Sequence, residues 1–398
     1  MPASNDGSNN NTMYEVLQLA TNQMLGSEAI DNISLEDIIN TGVTWSDVQK
    51  EQWVGELSKR YIDTKYTDRE YHDRRNDVFY EDSAKFGAIT QIISMEMPDI
   101  MANRSWNAVT SGVTQIGQNT VYLPIVDEKL FAGSDSWEVS IAYTGTQLNS
   151  AFNSESELLQ FNNYVKLMAQ NAITLHKATM NGLNRNNYIA EKLHVGNSAG
   201  KINVVNMVEE YQKDHSNQAM TVAQYLSTSD CLRYSPKTFK KFKSLLTDMT
   251  TLFTMDTNSK GKFIPEDRFV FQLLSDFEGR IMSEAYSTTF HDEFIKLPLY
   301  RDVNSWQALQ GVSSADFTTM SSIDVTTADG STVSETGVIG LMIDKWAVMH
   351  TIVQNRVGYQ RDDIKDISMY AYQFTSRYIN NLALNGVVFV LKDYTPSS

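Results

Sequence analysis

The chain has 398 residues, with 33 lysines and arginines against 48 aspartates and glutamates, a formal net charge of −15. That acidic balance argues against a protein that grips nucleic acid broadly. A hydrophobic share of 41% and a charged share of 20% exclude a disordered chain and leave room for two or three packed units.

Residues 1–12 are rich in Asn and Ser and read as disordered. They carry no basic n-region and no apolar core, so no signal peptide is expected. Short amphipathic helices are expected at 28–40 and 45–57, the second carrying Trp45, Val48 and Trp53. From Ser58 to Lys85 the charges are mixed, and Tyr61, Tyr66, Tyr71 and the Phe79–Tyr80 pair fall at a spacing that fits neither helix nor strand. Two readings stay open: an extended arm whose aromatics anchor on another surface, or a solvated, irregular helix.

Residues 87–118, with Gly112 and Gly117, read as two turns of helix and a loop. Thr120–Val126 reads as a strand, restricted to a sheet edge by Pro124. A ten-residue turn, DEKLFAGSDS, leads to a strand over 137–147, where Trp137, Val139, Ile141 and Tyr143 alternate with Glu138, Ser140 and Thr144. The two strands are expected to pair as one long hairpin over 120–147.

A single helix of nearly forty residues is then expected from Ser154 to about Leu193. Leu158, Phe161, Val165, Met168, Ala172, Leu175, Thr179 and Leu183 recur at steps of three and four, and Ser154 with Glu157 forms a capping box. At about 1.5 Å per residue it would span roughly 60 Å, more than a compact core needs. A long spine behind a protruding hairpin suggests an assembly protein rather than an enzyme.

Residues 202–345 read as mixed α/β. Ser235–Pro236 is expected to open a helix with Phe239, Phe242, Leu245, Met249 and Leu252 on one face. Its Lys237, Lys240, Lys241 and Lys243 form a basic patch, read as a solvated face or as a contact for DNA or an acidic partner. Further strands are expected at 268–274 and 293–299. An Ala328–Asp329–Gly330 turn should join 322–327 to 331–343. The end of the chain is rich in strand formers: IGLMIDKWAVMHTIV, ISMYAYQFTSRY and GVVFVL.

No catalytic, cofactor-binding or metal-ligating residue is assigned. One cysteine, Cys231, excludes an intramolecular disulfide and fits a reducing compartment, as a small buried residue. Asp256-Thr-Asn258-Ser-Lys260-Gly261 imitates half a calcium loop, but Lys260 stands where a ligand is needed and Pro265 interrupts the rest. His72, His176, His194, His215, His291 and His350 stand singly, with no HExxH; no GxSxG, GxGxxG or phosphate loop occurs. No run of about eighteen apolar residues is present, so no membrane partner is expected.

The order of pieces, from arm through hairpin, spine helix and α/β insertion to closing strands, resembles the major capsid proteins of tailed bacteriophages, the Hong Kong 97 fold. The hairpin–helix junction Trp137–Val165 carries it. So do Gly340-Leu-Met-Ile-Asp344-Lys-Trp346, similar to the family's strand ending in a Gly/Asp-aromatic segment, and Arg377 to Val390, similar to its closing turn and strand. The flavour is that of small, short-tailed phages of Gram-positive bacteria. The resemblance implies an α+β fold divided as arm 1–85, start of the peripheral domain 86–119, extended loop 120–147, spine 148–201, axial domain 202–337 and return 338–398.

It further implies a shell subunit that assembles with itself into hexamers and pentamers around double-stranded DNA, in a virion built in the host cytoplasm. A portal protein and a separate scaffold protein are implied partners, and no cofactor is. A wall that contains DNA without adhering to it would suit the acidic charge. An encapsulin-type nanocompartment is the alternative on the same fold, and a metal-dependent enzyme the alternative outside it. No lysine, asparagine and glutamate can be assigned to the crosslink some relatives form, so none is expected. The residues expected at subunit contacts are Tyr122, Phe131, Trp137, Val139 and Ile141 on the hairpin, and Tyr61, Tyr66 and Tyr71 on the arm.

Overall fold

A computed structural model describes residues 71–72, 79–83, 89–95, 126–144, 155–256, 261–288, 297–307, 314–327, 329–362, 364–365 and 367–396. In chain order come strands β1 (Tyr80–Ser83), β2 (Ile89–Met95), β3 (Val126–Ala132) and β4 (Asp135–Thr144), then helix α1 (Glu155–Val195). There follow β5 (Val204–Asn206), α2 (Met207–Asp214), α3 (Val222–Ser227), α4 (Ser229–Thr247), β6 (Phe269–Leu274) and α5 (Ser275–Thr288). The chain closes with β7 (Arg301–Val303), α6 (Phe317–Met320), β8 (Ile323–Thr326), β9 (Thr332–Glu335), β10 (Val338–Asp344), β11 (Val348–Asp362), β12 (Ile367–Asn380) and β13 (Gly386–Val390). The expected helices at 28–40 and 45–57 lie outside the described residues, as do Ser154 and the side chains of Leu158, Phe161 and Val165.

The residues fall into two compact units. One comprises 1–69, 142–168 and 361–368; the other comprises 70–141, 169–360 and 369–398. In the first, the described residues are the end of β4, the N-terminal part of α1 and the β11–β12 turn, where the Asp362 carboxylate accepts the amides of Ile364 at 3.0 Å and Lys365 at 3.2 Å.

The second unit holds the core, a five-stranded sheet in the order β5-β13-β10-β6-β7. Every residue of β10 and β13 is buried, so these central strands are continuous apolar runs rather than alternating ones. Leu341 of β10 faces Val388 of β13 on one side and Gln272 of β6 on the other, both antiparallel. Phe239 of α4 lies on this sheet, its ring 5.1 Å from Phe271 and 5.0 Å from Phe389. Cys231 is fully buried, as its size predicted.

Helix α4 begins at Ser229, a turn and a half before the expected start, and Pro236 sits inside it. Proline there withdraws one backbone donor, and the neighbouring Ser235 hydroxyl bonds back to the Cys231 carbonyl at 3.3 Å and to Tyr225 at 3.0 Å. Phe239 and Phe242 are buried as expected, whereas Leu246 takes the last core position and Met249 lies exposed beyond the helix end.

Three further expectations are corrected. Residues 89–95 are a strand, not helix. Of 293–299, residues 293–296 lie outside the described set and 297–299 are not strand; the strand is Arg301–Val303. The segment 331–343 is two strands, split at Gly337, whose φ of +82° turns the chain between β9 and β10. The β8–β9 turn itself is built by Asp329, which accepts the Thr327 hydroxyl at 2.6 Å and the Ser331 amide at 2.9 Å.

Helix α1 extends over 41 residues, as the periodicity predicts, but Met168, Leu175 and Leu183 of its predicted apolar face point outward. Leu175 and Leu183 are 56% and 49% exposed, and Met168 is 47% exposed. The buried side carries Ala178, Asn184, Arg185, Asn186, Tyr188, Ile189 and Lys192 instead. The buried asparagines and the lysine find acceptors in strands, loops and a neighbouring side chain. Asn184 donates to Met349 O at 3.2 Å and Ile379 O at 3.4 Å, and Asn186 donates to Trp306 O at 2.7 Å. Lys192 donates to Phe253 O at 2.9 Å and Asn203 Oδ1 at 3.0 Å. Periodicity identifies a helix; it does not say which side a polar anchor will bury.

Candidate assembly interface

Strands β3 and β4 do not pair with one another, which corrects the expected hairpin over 120–147. β3 pairs antiparallel with β2, Gln91 opposite Leu130 and Ile93 opposite Glu128, as a separate two-stranded ribbon. β4 instead joins a four-stranded sheet in the order β1-β11-β12-β4. The expected ten-residue turn is mostly strand β3, and the real turn is Gly133–Ser134, with Gly133 at φ +97°. Residues 120–125 of the expected strand lie outside the described residues; among those described, β3 begins at Val126.

The ribbon is pinned at its root and apolar outside. The Arg377 guanidinium donates to Thr90 Oγ1 at 2.6 Å and to Gly133 O at 2.7 Å, clamping both strands to the end of β12. Thr90, Ile92, Asp127, Lys129 and Phe131 turn inward and are half-buried. On the opposite face Ile89, Ile93, Val126 and Leu130 are between 50% and 61% exposed. Four exposed apolar side chains on this face, interleaved with the exposed Gln91 and Glu128 opposite Leu130 and Ile93, mark it as a candidate interaction surface.

Beneath the ribbon a cavity of about 160 Å³ is lined by Asp127, Lys129, Arg268, Trp346 and Leu384 among others. One wall is the segment singled out at Gly340–Trp346. The Asp344 carboxylate is buried and receives Arg268 bidentately, at 3.0 and 2.7 Å, together with the Trp346 amide at 2.9 Å. Burial pushes the Asp344 carboxyl above its usual range despite the cation. The Arg268 guanidinium lies 4.3 Å over the Trp346 ring, whose other neighbour is Tyr80 at 5.2 Å. The Gly/Asp-aromatic signature is thus a structural clamp on the sheet end.

The residues expected at contacts divide three ways. Tyr61, Tyr66 and Tyr122 lie outside the described residues. Tyr71 is 38% exposed, and its amide donates to Asn171 Oδ1 at 2.8 Å. Phe131, Trp137, Val139 and Ile141 are half-buried on their own chain. Trp137 stacks on Phe374 at 4.3 Å, meets His176 at 4.3 Å and donates to Ser376 Oγ at 3.2 Å. Trp137 therefore serves internal packing. Ile89, Ile93, Val126 and Leu130, the exposed set, escaped the sequence reading because ITQIISM does not alternate cleanly.

Among the described residues no three of His, Cys, Asp and Glu converge to hold a metal. Residues 257–260 of the calcium-like loop lie outside the described set; at its start Asp256 meets Lys262 at 3.6 Å, and its carbonyl accepts Lys201 at 2.8 Å. His194 pairs with Asp329 at 3.0 Å, and His215 stacks on Tyr211 at 4.1 Å. Of the basic patch, Lys237 meets Asp214 at 3.3 Å, Lys241 meets Glu210 at 2.8 Å and Lys243 meets Glu266 at 3.8 Å. These in-chain partners favour the solvated-face reading for most of the patch.

Comparison with known proteins follows the same line. The family model described as Phi29-like phage major capsid protein matches residues 17–390. No curated protein matches the sequence. Among solved structures, the capsid of Staphylococcus phage Andhra is similar with a TM-score of 0.52 at 8% identity, over 83% of this chain and 87% of that one. A chain from the structure of head fiber and inner core protein gp22 of native bacteriophage P68 is similar with a TM-score of 0.50 at 9% identity, over the same 83% and 87%. At such identities these two speak for the fold, the Hong Kong 97-like capsid fold, and the family match covers most of the chain. The chain belongs to the Phi29-like phage major capsid proteins and is a structural subunit of a virion's self-assembling shell.

Proposed function

We propose that the chain assembles into hexamers and pentamers that close as a phage head around double-stranded DNA, with the β2–β3 ribbon as the extended loop laid on a neighbouring subunit. The observation that carries this is the ribbon's exposed row, Ile89, Ile93, Val126 and Leu130, on a base held by Arg377. A monomer gains nothing from such a face and risks aggregation; a shell buries it. Residues 202–337 would form the axial domain, with 148–201 and 338–398 in the peripheral one. Tyr61, Tyr66, Tyr71 and Tyr122 stay candidates for contacts of the arm and loop. Assembly in the host cytoplasm, with a portal and a separate scaffold protein as partners, completes this reading.

The test is negative-stain electron microscopy with mass determination on the purified chain, alone and with co-expressed candidate scaffold. Shells or uniform capsomers are expected. Leu130→Asp should leave the subunit folded and reduce particle yield by about tenfold or more, as a charged side chain at an apolar contact does. Particles formed by Leu130→Asp at the wild-type yield would remove the ribbon from the interface.

A further inference from the structure

The underside of the ribbon carries two half-buried charges of opposite sign. Asp127 and Lys129 stand two residues apart on the inward face of β3, and both line the cavity beneath it. Neither has an ion pair or a side-chain hydrogen bond among the described residues. A charge that is partly withdrawn from water without a partner is a cost that a partner of opposite sign removes.

The facing wall holds the complement. Lys262 lines the same cavity, and its ammonium reaches Asp256 only loosely, at 3.6 Å, with both side chains largely buried. Its backbone is fixed: Lys262 and Thr250 exchange hydrogen bonds at 2.9 and 3.1 Å, and Asn385 Nδ2 donates to Lys262 O at 2.6 Å. Arg268, the other cation of this wall, is already committed to both oxygens of Asp344 and lies over Trp346. The wall is therefore rigid, and Lys262 with Asp256 is its exchangeable pair. Ile92 of the ribbon and Leu384 of the wall supply apolar surface to the same cavity.

The ribbon is a lever over this wall. Its strands bond only to each other among the described residues, and the Arg377 clamp grips them at one end, at Thr90 and Gly133. Asp127 lies opposite Ser94, four residues and about 13 Å beyond that grip. We propose that the ribbon is a strap with two positions: raised, with the cavity open, and lowered onto the wall, where Asp127 meets Lys262 and Lys129 meets Asp256. Lowering turns one loose ion pair into a network of four alternating charges and brings Ile92 onto Leu384 beneath it. It also tilts the row Ile89, Ile93, Val126 and Leu130, so one subunit presents its exposed face at two heights. That consequence rests on the shell-subunit reading above; the closure itself belongs to the single chain.

The test is a reporter variant, Ile92→Cys with Leu384→Cys, in the purified unassembled chain under a glutathione redox buffer. A disulfide requires Cα atoms within about 4.4–6.8 Å, and the native Cys231 is buried. An intramolecular disulfide is expected, read as the loss of two free thiols in the intact mass. Its rate should fall about fivefold when Asp127→Asn removes one partly buried ion pair. It should also fall in 1 M salt, where the screening length is about 3 Å. A folded reporter that forms no disulfide, or one whose rate ignores both Asp127→Asn and salt, overturns the strap. A second measurement needs no new cysteine: acetylation of Lys262 by a limiting amine reagent, read by peptide mass spectrometry, should rise about threefold in Asp127→Asn. Labelling equal to wild type also overturns the strap. Neither readout depends on particle formation, so the strap and the shell-subunit reading fail separately.

Discussion

Lys192 offers the sharpest test of the packing of α1. Its ammonium is fully buried, donating to Asn203 Oδ1 and Phe253 O and lying 5.8 Å from the Tyr188 ring centre, and burial with the nearby Lys201 lowers it from 10.5 to about 7. The unfolded chain therefore holds a proton that the folded chain does not, across roughly pH 7 to 10.5. With more protons bound in the unfolded state, stability rises with pH in that window, and the cost is fully present below about pH 7. Each pH unit is worth up to about 1.4 kcal/mol for one proton. Lys192→Met removes this term but strands two buried acceptors, at about 1–3 kcal/mol each. The variant should therefore be compared with wild type by urea unfolding at pH 7.5, 8.5 and 9.5. The wild-type advantage should grow by about 1 kcal/mol or more per pH unit. A difference that stays constant across this range would refute a buried, depressed amine.

Other perturbations address the frame and the ribbon's neighbourhood. Gly337→Ala puts a Cβ 2.3 Å from Leu391 O at φ +82°, against open space for Gly330→Ala at φ +89°. Urea unfolding should show a loss of about 1–2 kcal/mol for the backbone conformation alone at Gly330, and at least twice that at Gly337. Trp137→Ala should lower subunit stability by about 2 kcal/mol, less than the ~3–5 of a fully buried aromatic, through loss of its stack on Phe374. An assembly defect with no change in the melt would contradict that placement. His350, buried against Tyr378 at 4.7 Å with neither ring nitrogen hydrogen-bonded among the described residues, is lowered by burial to about 4. Between pH 6.5 and 4 the unfolded chain holds the extra proton, so stability falls as pH falls through that range. His350→Phe should flatten this acid limb in pH-dependent melts, and an unchanged limb would exonerate the histidine.

The strands of the core were legible because their burial is uniform: VIGLMID and GVVFV can be little else than central strands. The spine helix was legible from its period, and Asp329–Gly330 from its turn chemistry. What stayed hidden depends on partners distant in sequence. The side of α1 that faces the core is chosen by Asn184 and Asn186 finding backbone carbonyls more than a hundred residues away, with Leu175 and Leu183 left outside. The partner of β3 is likewise a choice between strands: β2 lies some thirty residues upstream, while β4 lies two residues downstream. Proximity in sequence favoured the wrong one. The contact residues followed that pairing, so Trp137 was read as outward when it points at Phe374.

The manner in which α1 is seated also bears on the conditions a capsid shell must survive. Asn184 and Asn186 hold backbone carbonyls, and Asn380 in turn donates to Asn184 O at 3.1 Å; all three are uncharged amides. Salt weakens attraction between exposed charges over a screening length of about 8–10 Å, but it leaves short, buried amide–carbonyl bonds almost untouched. A capsid wall meets surroundings of changing ionic strength. These three amides keep their hold on the spine through all of it.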